Sequence, residues 1–499
     1  MRELSLVLPE TLLLTLICVT LLVDVFSRPG NRAVTFWLAV LSPLLVAAVV
    51  VFQFPEARLS AFSGTVVIDP MGSVLKLFAM IYVVFACFYA RDYLVRRGAE
   101  RGEYYVLTLS AALGIMVMAG AGSLLTVYLG LELMSLSLYA MVAMLGRDEG
   151  LADGPEADDP PSDAQVAAHG DTAAEAAMKY FVLGAMASGL LLYGMSMLYG
   201  IGGTLELAAL AGSVGALGEG GILVSFALVF VIVGIAFKLG VVPFHMWVPD
   251  IYQGASTPVT LFIASAPKIG AFAMAMRLLA DGLPAQQADW QAMLAILALL
   301  SMAVGNIIAI AQSNLKRMLA YSTIAHMGFL LLGMLSVQAS GYAASMFYVL
   351  VYALTTLGAF ALIILISGAS AERDGIEDFA GLARISPWFG FVLLILMFSL
   401  AGIPPFAGFW AKWFVIKEAL AGGYTWLAIA AVVFSVIGAF YYLRMVKLAY
   451  FDEPAEGVAV QAESDMKLVL SVNGLVVLAL GVMPGALMAI CVAVTAFYR

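Results

Sequence analysis

Four ionisable side chains lie inside long apolar segments of this chain, each in a different segment. Lys238 is the only charge in the run 221–243, and Glu132, Lys268 and Lys412 lie in apolar runs of their own. A charged side chain at the centre of a bilayer costs a few kcal/mol or more, so such residues are rare and tend to be functional. Because carboxylates and amines take up and release protons, we expect a chain that moves charge across a membrane.

The chemistry that these groups could share is a proton relay. Burial disfavours the charged form of a lysine or a carboxylate, and an opposite charge nearby restores it. Glu132 must therefore be neutral or paired, and pairing with Lys238 or Lys268 is the simplest arrangement. Moving or hydrating the partner would switch a lysine between holding and releasing its proton. The alternative is that the long lysine stem carries the ammonium to the interface, but the positions of Lys238, Lys268 and Lys412 deep in their segments favour function.

Histidine titrates nearest to neutral pH, and the chain has 3 of them. His326 lies in the middle of an apolar segment, where it is either a relay group or a hydrogen-bonded core residue. His245 follows Pro243 and is predicted to lie at the cytoplasmic mouth of a helix break. His169, in an acidic stretch, is predicted to be solvated.

Other charged residues have simpler interpretations. Lys179 follows Glu175 by four residues, which favours an ion pair in the first turn of a helix, although a site of proton uptake is the alternative. Lys76 is predicted to reach the interface, and Lys417 with Glu418, near a helix end, is predicted to lie at the interface as well.

The elements that must position these groups are membrane-spanning helices. The chain has 499 residues, of which 63% are hydrophobic and 11% charged, whereas a soluble chain is about 45–50% apolar and 25% charged. Because a spanning helix needs about 20 apolar residues, we predict about fourteen, in an all-α polytopic membrane protein. They are predicted at 4–26, 33–52, 71–90, 104–120, 122–145, 174–199, 221–243, 256–280, 290–311, 316–337, 342–367, 386–420, 424–450 and 467–497.

The basic residues predict the orientation, because Lys and Arg concentrate in cytoplasmic loops. The side reached after odd-numbered spans holds Arg28, Arg32, Arg91, Arg96, Arg97, Arg101, Arg147, Lys316, Arg317, Arg373, Arg384, Arg444, Lys447 and Lys467, against Arg2, Arg58, Arg277 and Arg499 on the other. Both termini are therefore predicted on the periplasmic side of a bacterial inner membrane. The acidic, Pro/Gly-rich stretch 146–171 is predicted to be a flexible cytoplasmic loop.

Helix breakers accompany three of the lysines. Proline removes a backbone donor and clashes with the carbonyl of residue i−4, so we expect loosened, hydratable backbone near each lysine. The predicted breaks lie at Gly240, Pro243, Pro267, Pro404 and Pro405.

A mirrored arrangement relates the seventh and twelfth spans. Lys238 precedes a Pro-Phe pair, whereas Lys412 follows Pro-Pro-Phe in a helix that runs the other way. This suggests two inverted five-helix repeats with sites at broken helices, as in many transporters. The predicted organisation is a three-helix segment at 1–103, a first repeat at 104–282, a second at 283–452, and a loop and final helix at 453–499.

No redox cofactor site is predicted in this chain. Cys18, Cys87 and Cys491 are isolated in apolar segments and lack the spacing of zinc, iron–sulfur or haem sites. The glycines near 200–203 and 215–221 follow no strand and make no dinucleotide-binding motif.

Four segments resemble the antiporter-like membrane subunits of respiratory complex I, over most of the chain. They are FKLGVVPFHMWVPDIYQGASTPVTL at 237–261, SAPKIGAF at 265–272, NLKRMLAYSTIAHMGF at 314–329 and AGIPPFAGFWAKW at 401–413. The string PDIYQGASTP and the lysine at 412 are typical of one subunit type, since a sister subunit typically has glutamate there. The acidic stretch 146–171 is not part of the shared pattern.

The resemblance implies specific roles. Glu132 and Lys238 would be a coupled pair, Lys268 a connecting lysine, and Lys412 a group of the second half-channel. It also implies that NADH, FMN, iron–sulfur clusters and quinone are bound by other subunits. Partners would be neighbouring antiporter-like and small membrane subunits of the complex, together with lipids and without nucleic acid.

The function predicted is proton translocation along Glu132, Lys238, Lys268, His326 and Lys412, driven by quinone reduction in other subunits. A stand-alone or Mrp-like cation/proton antiporter is the first alternative. The second is a structural membrane subunit whose buried charges only hold helices together.

Overall fold

The fold consists of long apolar helices. A computed structural model describes residues 2–27, 32–144, 163–216, 221–368, 372–455, 457–460 and 462–498. The first helices are α1 Arg2–Leu6, α2 Leu8–Phe26, α3 Ala33–Phe52, α4 Pro70–Arg96, α5 Gly102–Ala119, α6 Leu124–Met144, α7 Asp163–Gly202, α8 Leu207–Gly215, α9 Ile222–Leu239 and α10 Trp247–Gly254. They are followed by α11 Thr257–Ile263, α12 Ala266–Ala275, α13 Gln287–Ile310, α14 Leu315–Met334, α15 Ala339–Ile366, α16 Leu382–Ile385, α17 Pro387–Ala401, α18 Ala407–Ala421, α19 Thr425–Phe451, α20 Ser464–Val482 and α21 Pro484–Thr495.

Helices dominate because backbone groups in hydrocarbon must be satisfied within the protein, and an α-helix satisfies its own. At the centre of the bundle lies α15, which is buried at every residue from Gly341 to Ile366. Around it pack α4, α11, α12, α14, α17, α18, α20 and α21. The central helix therefore contacts helices from both parts of the chain: the part that holds Glu132, Lys238 and Lys268, here called the first half, and the part that holds His326 and Lys412, here called the second half.

Twelve helical stretches in the described part of the chain are long and apolar enough to cross a membrane. Helices α17 and α21 are also apolar but shorter. The all-helical membrane fold is thus confirmed, whereas the number of fourteen spans and the inverted repeats stay predictions. The predicted final span 467–497 is two helices, because Pro484 starts α21 rather than continuing α20.

The stretches around three of the lysines are not continuous helices. Helix α9 ends at Leu239 and α10 begins at Trp247, and α17 ends at Ala401 before α18 begins at Ala407. The predicted eighth span is α11 and α12, with Pro267 in the first turn of α12, followed by a π-helical turn at Met276–Asp281.

The same backbone turn ends α9 and α17. Gly240 and Gly402 have φ of +81° and +83°, a left-handed conformation that glycine adopts without steric cost. Gly240 N donates to Ala236 O at 2.9 Å, and Gly402 N donates to Phe398 O at 3.0 Å. Cis peptide bonds follow at Val242-Pro243 and Pro404-Pro405. The sequences GVVPF and GIPPF thus build two similar helix ends.

The connecting segments lie at two opposite faces of the bundle, and contacts among them show which segments share a face. On the first, Asn314 pairs with Gly375, and Arg96 donates to Ser367 O. We call this the arginine-rich face; it contains residues 92–102, 244–256, 311–317, 367–368, 372–384, 444–455, 457–460 and 462–463. The opposite face carries the hairpin of β1 Leu59–Ala61 and β2 Val66–Ile68, which contacts Ala121.

Part of the acidic stretch 146–171 has a different structure from the one predicted. Residues 145–162 lie outside the described residues, but α7 begins at Asp163, so 163–171 is helical rather than loop. His169 falls in this segment, and its side chain is outside the described ones. The spacing of Lys179 from Glu175 predicted an ion pair in the first turn of a helix. Because α7 begins at Asp163, Lys179 lies several turns inside it, so the predicted position was wrong.

Candidate functional site

Lys238 lies at the end of α9 and faces a row of polar side chains on α6. Its Nζ donates to Ser135 Oγ at 2.8 Å and to Tyr139 OH at 3.3 Å. Glu132, Ser135 and Tyr139 follow the i, i+3, i+7 spacing that places residues on one face of a helix. With 8% exposure, Lys238 is an ammonium surrounded by protein, and two hydroxyl groups are its hydrogen-bond partners.

Glu132 interacts electrostatically with Lys238 without touching its ammonium. No ion pair joins Glu132 to a lysine among the residues that the structure describes, and its Oε1 atom is buried without a hydrogen-bond partner in that part of the chain. The hydroxyls of Ser135 and Tyr139 lie beside the ammonium instead, so the predicted coupling of Glu132 and Lys238 is not a contact pair and stays a prediction.

Lys268 is bound at the carboxyl end of α9. It is 1% exposed, and its Nζ donates to Leu239 O at 3.0 Å and weakly to Lys238 O at 3.5 Å. The same Nζ lies 5.2 Å from the ring centroid of Trp247, within range of a cation–π interaction. Because the last carbonyls of a helix lack partners and carry partial negative charge, they stabilise a cation.

Lys412 repeats the Lys268 arrangement in the other half. Its Nζ donates to Ala401 O, the carbonyl before Gly402, at 2.8 Å, and to Ser435 Oγ at 3.1 Å. It lies 5.0 Å from the ring centroid of Phe329. The lysine that shares its contacts is thus Lys268, since both bind the end of a half-helix beside an aromatic ring. The mirrored arrangement of Lys238 and Lys412 along the chain stays a prediction, because side-chain contacts do not test it.

His326 is buried between two tyrosines. Its Nδ1 lies 2.7 Å from Tyr348 OH, and its Nε2 lies 3.1 Å from Tyr442 OH. A cavity of about 10 Å³ separates His326 from α18, where Gly408 and Ala411 line it. That volume holds about one water molecule. Ala411, which directly precedes Lys412, lines this cavity, so the cavity lies between His326 and the helix that carries the lysine.

His245 and Lys179 lie on the arginine-rich side of the first half. His245 Nδ1 is buried and has no hydrogen-bond partner in the described part of the chain. Lys179 pairs with Glu175 at 2.7 Å and with Asp250 at 3.0 Å. Asp250 also pairs with Arg317. The ion pair of Lys179 is therefore not only local to α7, because Asp250 also binds Arg317 and so links α7 to α14.

Three residues assigned to interfaces or loops are buried instead. Lys76 is 4% exposed and pairs with Glu10, and Glu418 accepts a hydrogen bond from Ser340 at 2.7 Å. Arg277, counted among loop residues, is fully buried. Hydropathy along the chain cannot tell a buried position from an interfacial one, because the helices packed around a side chain decide whether it faces protein or lipid.

Several polar partners were missed by sequence reasoning. Ser135 and Tyr139 carried a usable signal, because their spacing from Glu132 puts them on its helix face. Tyr348, Tyr442 and Ser435 carried none, since they come from other helices far along the chain. Within the residues described, no group of three or more His, Cys, Asp or Glu side chains is placed to hold a metal ion.

The fold and the site define a polytopic membrane protein that holds lysines at the ends of short helices in its interior. A family model described as NADH:quinone oxidoreductase/Mrp antiporter, TM matches residues 165–438. A protein named NADH-quinone oxidoreductase subunit N from Thiobacillus denitrificans is 52% identical, over 97% of this chain and 96% of the relative. This chain therefore belongs to the NADH-quinone oxidoreductase subunit N family.

Solved structures agree with this assignment. A chain of respiratory complex I from Thermus thermophilus, solved with bound aureothin, has a TM-score of 0.79 and 32% identity, covering 96% of this chain and 98% of that one. A chain of the Mrp complex from a Dietzia species has a TM-score of 0.82, covering 99% and 97%, but is 19% identical. The second likeness shows a shared fold alone.

Proposed function

We propose that protons cross the membrane part of this protein along Glu132, Lys238, Lys268, His326 and Lys412. The chain is a proton-translocating membrane subunit of NADH:quinone oxidoreductase, and the axis is our assignment of the residues that do the work. The observation that supports it is that Lys238, Lys268 and Lys412 are all buried, and each is held by hydroxyls or helix-terminal carbonyls. Among the described residues none of the three lysines forms an ion pair with a carboxylate, and Glu132 interacts with Lys238 only at longer range.

The physical basis is a balance of two opposing effects. Burial disfavours each ammonium, whereas the negative end of a half-helix favours it. A small change in hydration or in a neighbouring charge then decides whether a proton is held. Quinone reduction in other subunits would supply that change. Glu132, which interacts electrostatically with Lys238, is the carboxyl group to which we expect Lys238 to respond.

The surroundings of the axis complete the proposal. Lys179, Asp250 and His245 would form the mouth of the first half on the arginine-rich face, which faces the cytoplasm. The protein is a multi-pass protein of the bacterial inner membrane, and we infer that both termini lie on the periplasmic side. We also retain fourteen spans and inverted repeats at 104–282 and 283–452 as proposals, with helix breaks at Gly240, Pro243, Pro267, Pro404 and Pro405.

The redox chemistry is assigned to other subunits. NADH, FMN, iron–sulfur clusters and quinone would bind outside this chain, which acts as a non-redox part of the translocase. Its partners are other subunits of complex I, among which we expect neighbouring antiporter-like and small membrane subunits, and lipids. The acidic stretch 146–171 receives no role in proton transfer.

Replacing Lys238 tests the axis. Both Lys238→Ala and Glu132→Ala are expected to lower the number of protons pumped per NADH oxidised by the assembled complex in liposomes. Lys238→Arg should also impair pumping, because arginine keeps the charge but does not release its proton. Normal pumping with continued electron transfer in these variants would refute the axis.

Two rival functions make different predictions. Cation/proton exchange by this chain alone in liposomes would favour an antiporter, with which the Mrp-like fold is compatible. Normal pumping after Glu132 and Lys238 are neutralised together would favour a structural subunit. Obligate purification with redox subunits and lost pumping in the double variant would support the translocase.

The hydroxyl of Ser135 is expected to support proton transfer at Lys238. In Ser135→Ala the ammonium loses a hydrogen bond of the charged type, worth about 1.5–3 kcal/mol, so proton translocation should slow by about ten- to a hundredfold. Ser137→Ala is the matched control, because Ser137 Oγ donates to Leu133 O of its own helix. Equal pumping rates in the two variants would contradict the assignment of Ser135.

A further inference from the structure

Helix α11 begins without the hydrogen bond that an N-cap side chain usually provides. Its N-cap residue, Ser256, is fully buried, and the Ser256 hydroxyl has no hydrogen-bond partner in the part of the chain that the structure describes. The first N–H groups of a helix need acceptors. The acceptor here is Glu372, 115 residues beyond the first residue of the helix. Its Oε1 atom accepts from Thr257 N at 2.9 Å and from Thr257 Oγ1 at 2.8 Å.

The same carboxylate binds the start of α14. Its Oε2 atom accepts from Lys316 Nζ at 3.0 Å, and the lysine and glutamate side chains are 0% and 2% exposed. Lys316 lies in the first turn of α14, where a cation is unfavourable, so its buried ammonium needs a carboxylate partner. Lys316 Nζ also donates to Ala255 O at 2.6 Å, two residues before Thr257. Both members of one buried ion pair therefore join the starts of α11 and α14.

A third helix and the backbone around Glu372 complete this arrangement. Tyr93 OH on α4 donates to Glu372 Oε1 at 2.8 Å. Two backbone hydrogen bonds, of 2.7 and 2.9 Å, join the segment 374–376 to the segment 313–315. These bonds hold the backbone that carries Glu372 against the start of α14. We call the side-chain cluster the clamp; it consists of Tyr93, Thr257, Lys316 and Glu372.

The two helical segments that the clamp joins carry ionisable residues of the proposed axis. Helix α11 has 7 residues, all of them buried, and α12 follows it after a break and holds Lys268, eleven residues beyond Thr257. On α14, His326 lies ten residues beyond Lys316. Because so short a helix has little stability of its own, the position of α11 depends on what binds its ends. The clamp therefore fixes the start of the segment that carries Lys268 against the helix that carries His326.

We propose that Glu372 and Lys316 are positioning residues, which hold Lys268 and His326 at the separation that proton transfer between the two halves requires. The proposal rests on the proposed function, and it assigns no proton to the clamp itself. Because Glu372 binds three helices at once, removing its carboxylate frees α11 to shift relative to α14. Transfer is sensitive to such a shift, since a misplacement of about 1 Å between reacting groups can cost about a hundredfold in rate.

Removing the carboxylate tests the clamp. Glu372→Ala is compared with Glu377→Ala, which removes an exposed carboxylate from the same connection between helices. Each whole complex is purified and reconstituted in liposomes, and the protons pumped per NADH oxidised are measured. Glu372→Ala is expected to lose as many protons per NADH as Lys268→Met. Combining these two substitutions should cause no further loss, because the clamp acts through Lys268, and Glu377→Ala should pump normally.

Two measurements distinguish positioning from stabilisation alone. A merely stabilising ion pair would change the amount of assembled complex but not the number of protons that each assembled complex pumps per NADH. Hydrogen exchange in the assembled complex reports the movement directly. In Glu372→Ala the backbone amides of residues 257–272 should exchange at least about tenfold faster, because the first turn of α11 has lost its acceptor, whereas those of α13 should be unchanged.

The outcomes separate the clamp from the axis. Normal pumping in Glu372→Ala, or a further loss when it is combined with Lys268→Met, would overturn the clamp while lost pumping in Lys268→Met still upheld the axis. Unchanged exchange at residues 257–272 would also overturn the clamp. Normal pumping in Lys268→Met would overturn both.

A milder pair of variants decides the question if Glu372→Ala leaves too little assembled complex. Thr257→Ser keeps the hydroxyl that donates to Glu372, whereas Thr257→Val keeps the branched shape and removes the hydroxyl. Thr257→Val is expected to pump fewer protons per NADH than Thr257→Ser. Equal values in these two variants would reject the clamp.

Discussion

Replacing Lys412 by methionine is expected to remove this subunit's share of the protons pumped per NADH oxidised. Methionine keeps most of the stem but cannot hold a proton, and a positioned acid–base group typically contributes about 10²–10⁴-fold to proton transfer. The Ala401 carbonyl and Ser435 hydroxyl would lose their cation. The measurement is proton uptake against NADH oxidation by the reconstituted complex.

Lys417 provides the control on the same helix. It is exposed, five residues beyond Lys412, so Lys417→Met changes charge and shape equally without entering the axis. We expect its pumping to match the unsubstituted protein. If Lys412→Met pumps as well as Lys417→Met and the unsubstituted protein, Lys412 has no part in translocation. The resemblance of its contacts to those of Lys268 would then be only structural.

The second large effect is expected on stability. Arg277 is fully buried, and its guanidinium donates to Asp69 through two nitrogens at 2.6 and 2.9 Å and to Asp281 at 2.9 Å. It also donates to Ala119 O. Removing one partner of a buried ion pair leaves an uncompensated charge and costs about 3–5 kcal/mol. Arg277→Met should therefore lower the melting temperature of the complex and the amount of this subunit retained in it.

Arg58 is the matched control for that substitution. It pairs with the same Asp281, at 3.0 Å, but its side chain is 35% exposed. Exposed pairs contribute about 1 kcal/mol or less, so Arg58→Met should leave the melting temperature almost unchanged. Equal losses of melting temperature in the two variants would mean that the buried ion pairs of Arg277 do not stabilise this subunit in the complex.

The two halves hold a lysine in the same way. Lys268 and Lys412 each bind the carbonyl that precedes a left-handed glycine, and each lies about 5 Å from an aromatic ring centroid. Lys238 instead binds hydroxyls on α6. We infer that Lys238 responds to Glu132, whereas Lys268 and Lys412 are stabilised mainly by backbone dipoles. Substitutions at Glu132 should accordingly affect Lys238 more than Lys412.

By itself, the sequence determined the membrane fold and the main ionisable groups of the interior. A lone charge in a long apolar run is costly wherever the helix lies, so Lys238, Lys268 and Lys412 could be recognised without their neighbours. The ends of α9 and α17 were also predictable, because Gly240 and Gly402 permit a left-handed turn and the prolines that follow stop a helix. These are local effects, which depend on a few consecutive residues.

Only the tertiary structure decided which atoms bind each charge. The sequence around Lys76, Arg277 and Glu418 did not tell whether the side chain faces lipid or protein, because that depends on which helices pack beside it. The sequence offered Glu132 as a partner for Lys238 or Lys268, but it did not show that Ser135 and Tyr139 bind the Lys238 ammonium. The carbonyls that bind Lys268 and Lys412, and the tyrosines around His326, are brought there by the packing of separate helices, and no spacing along the chain encodes such contacts.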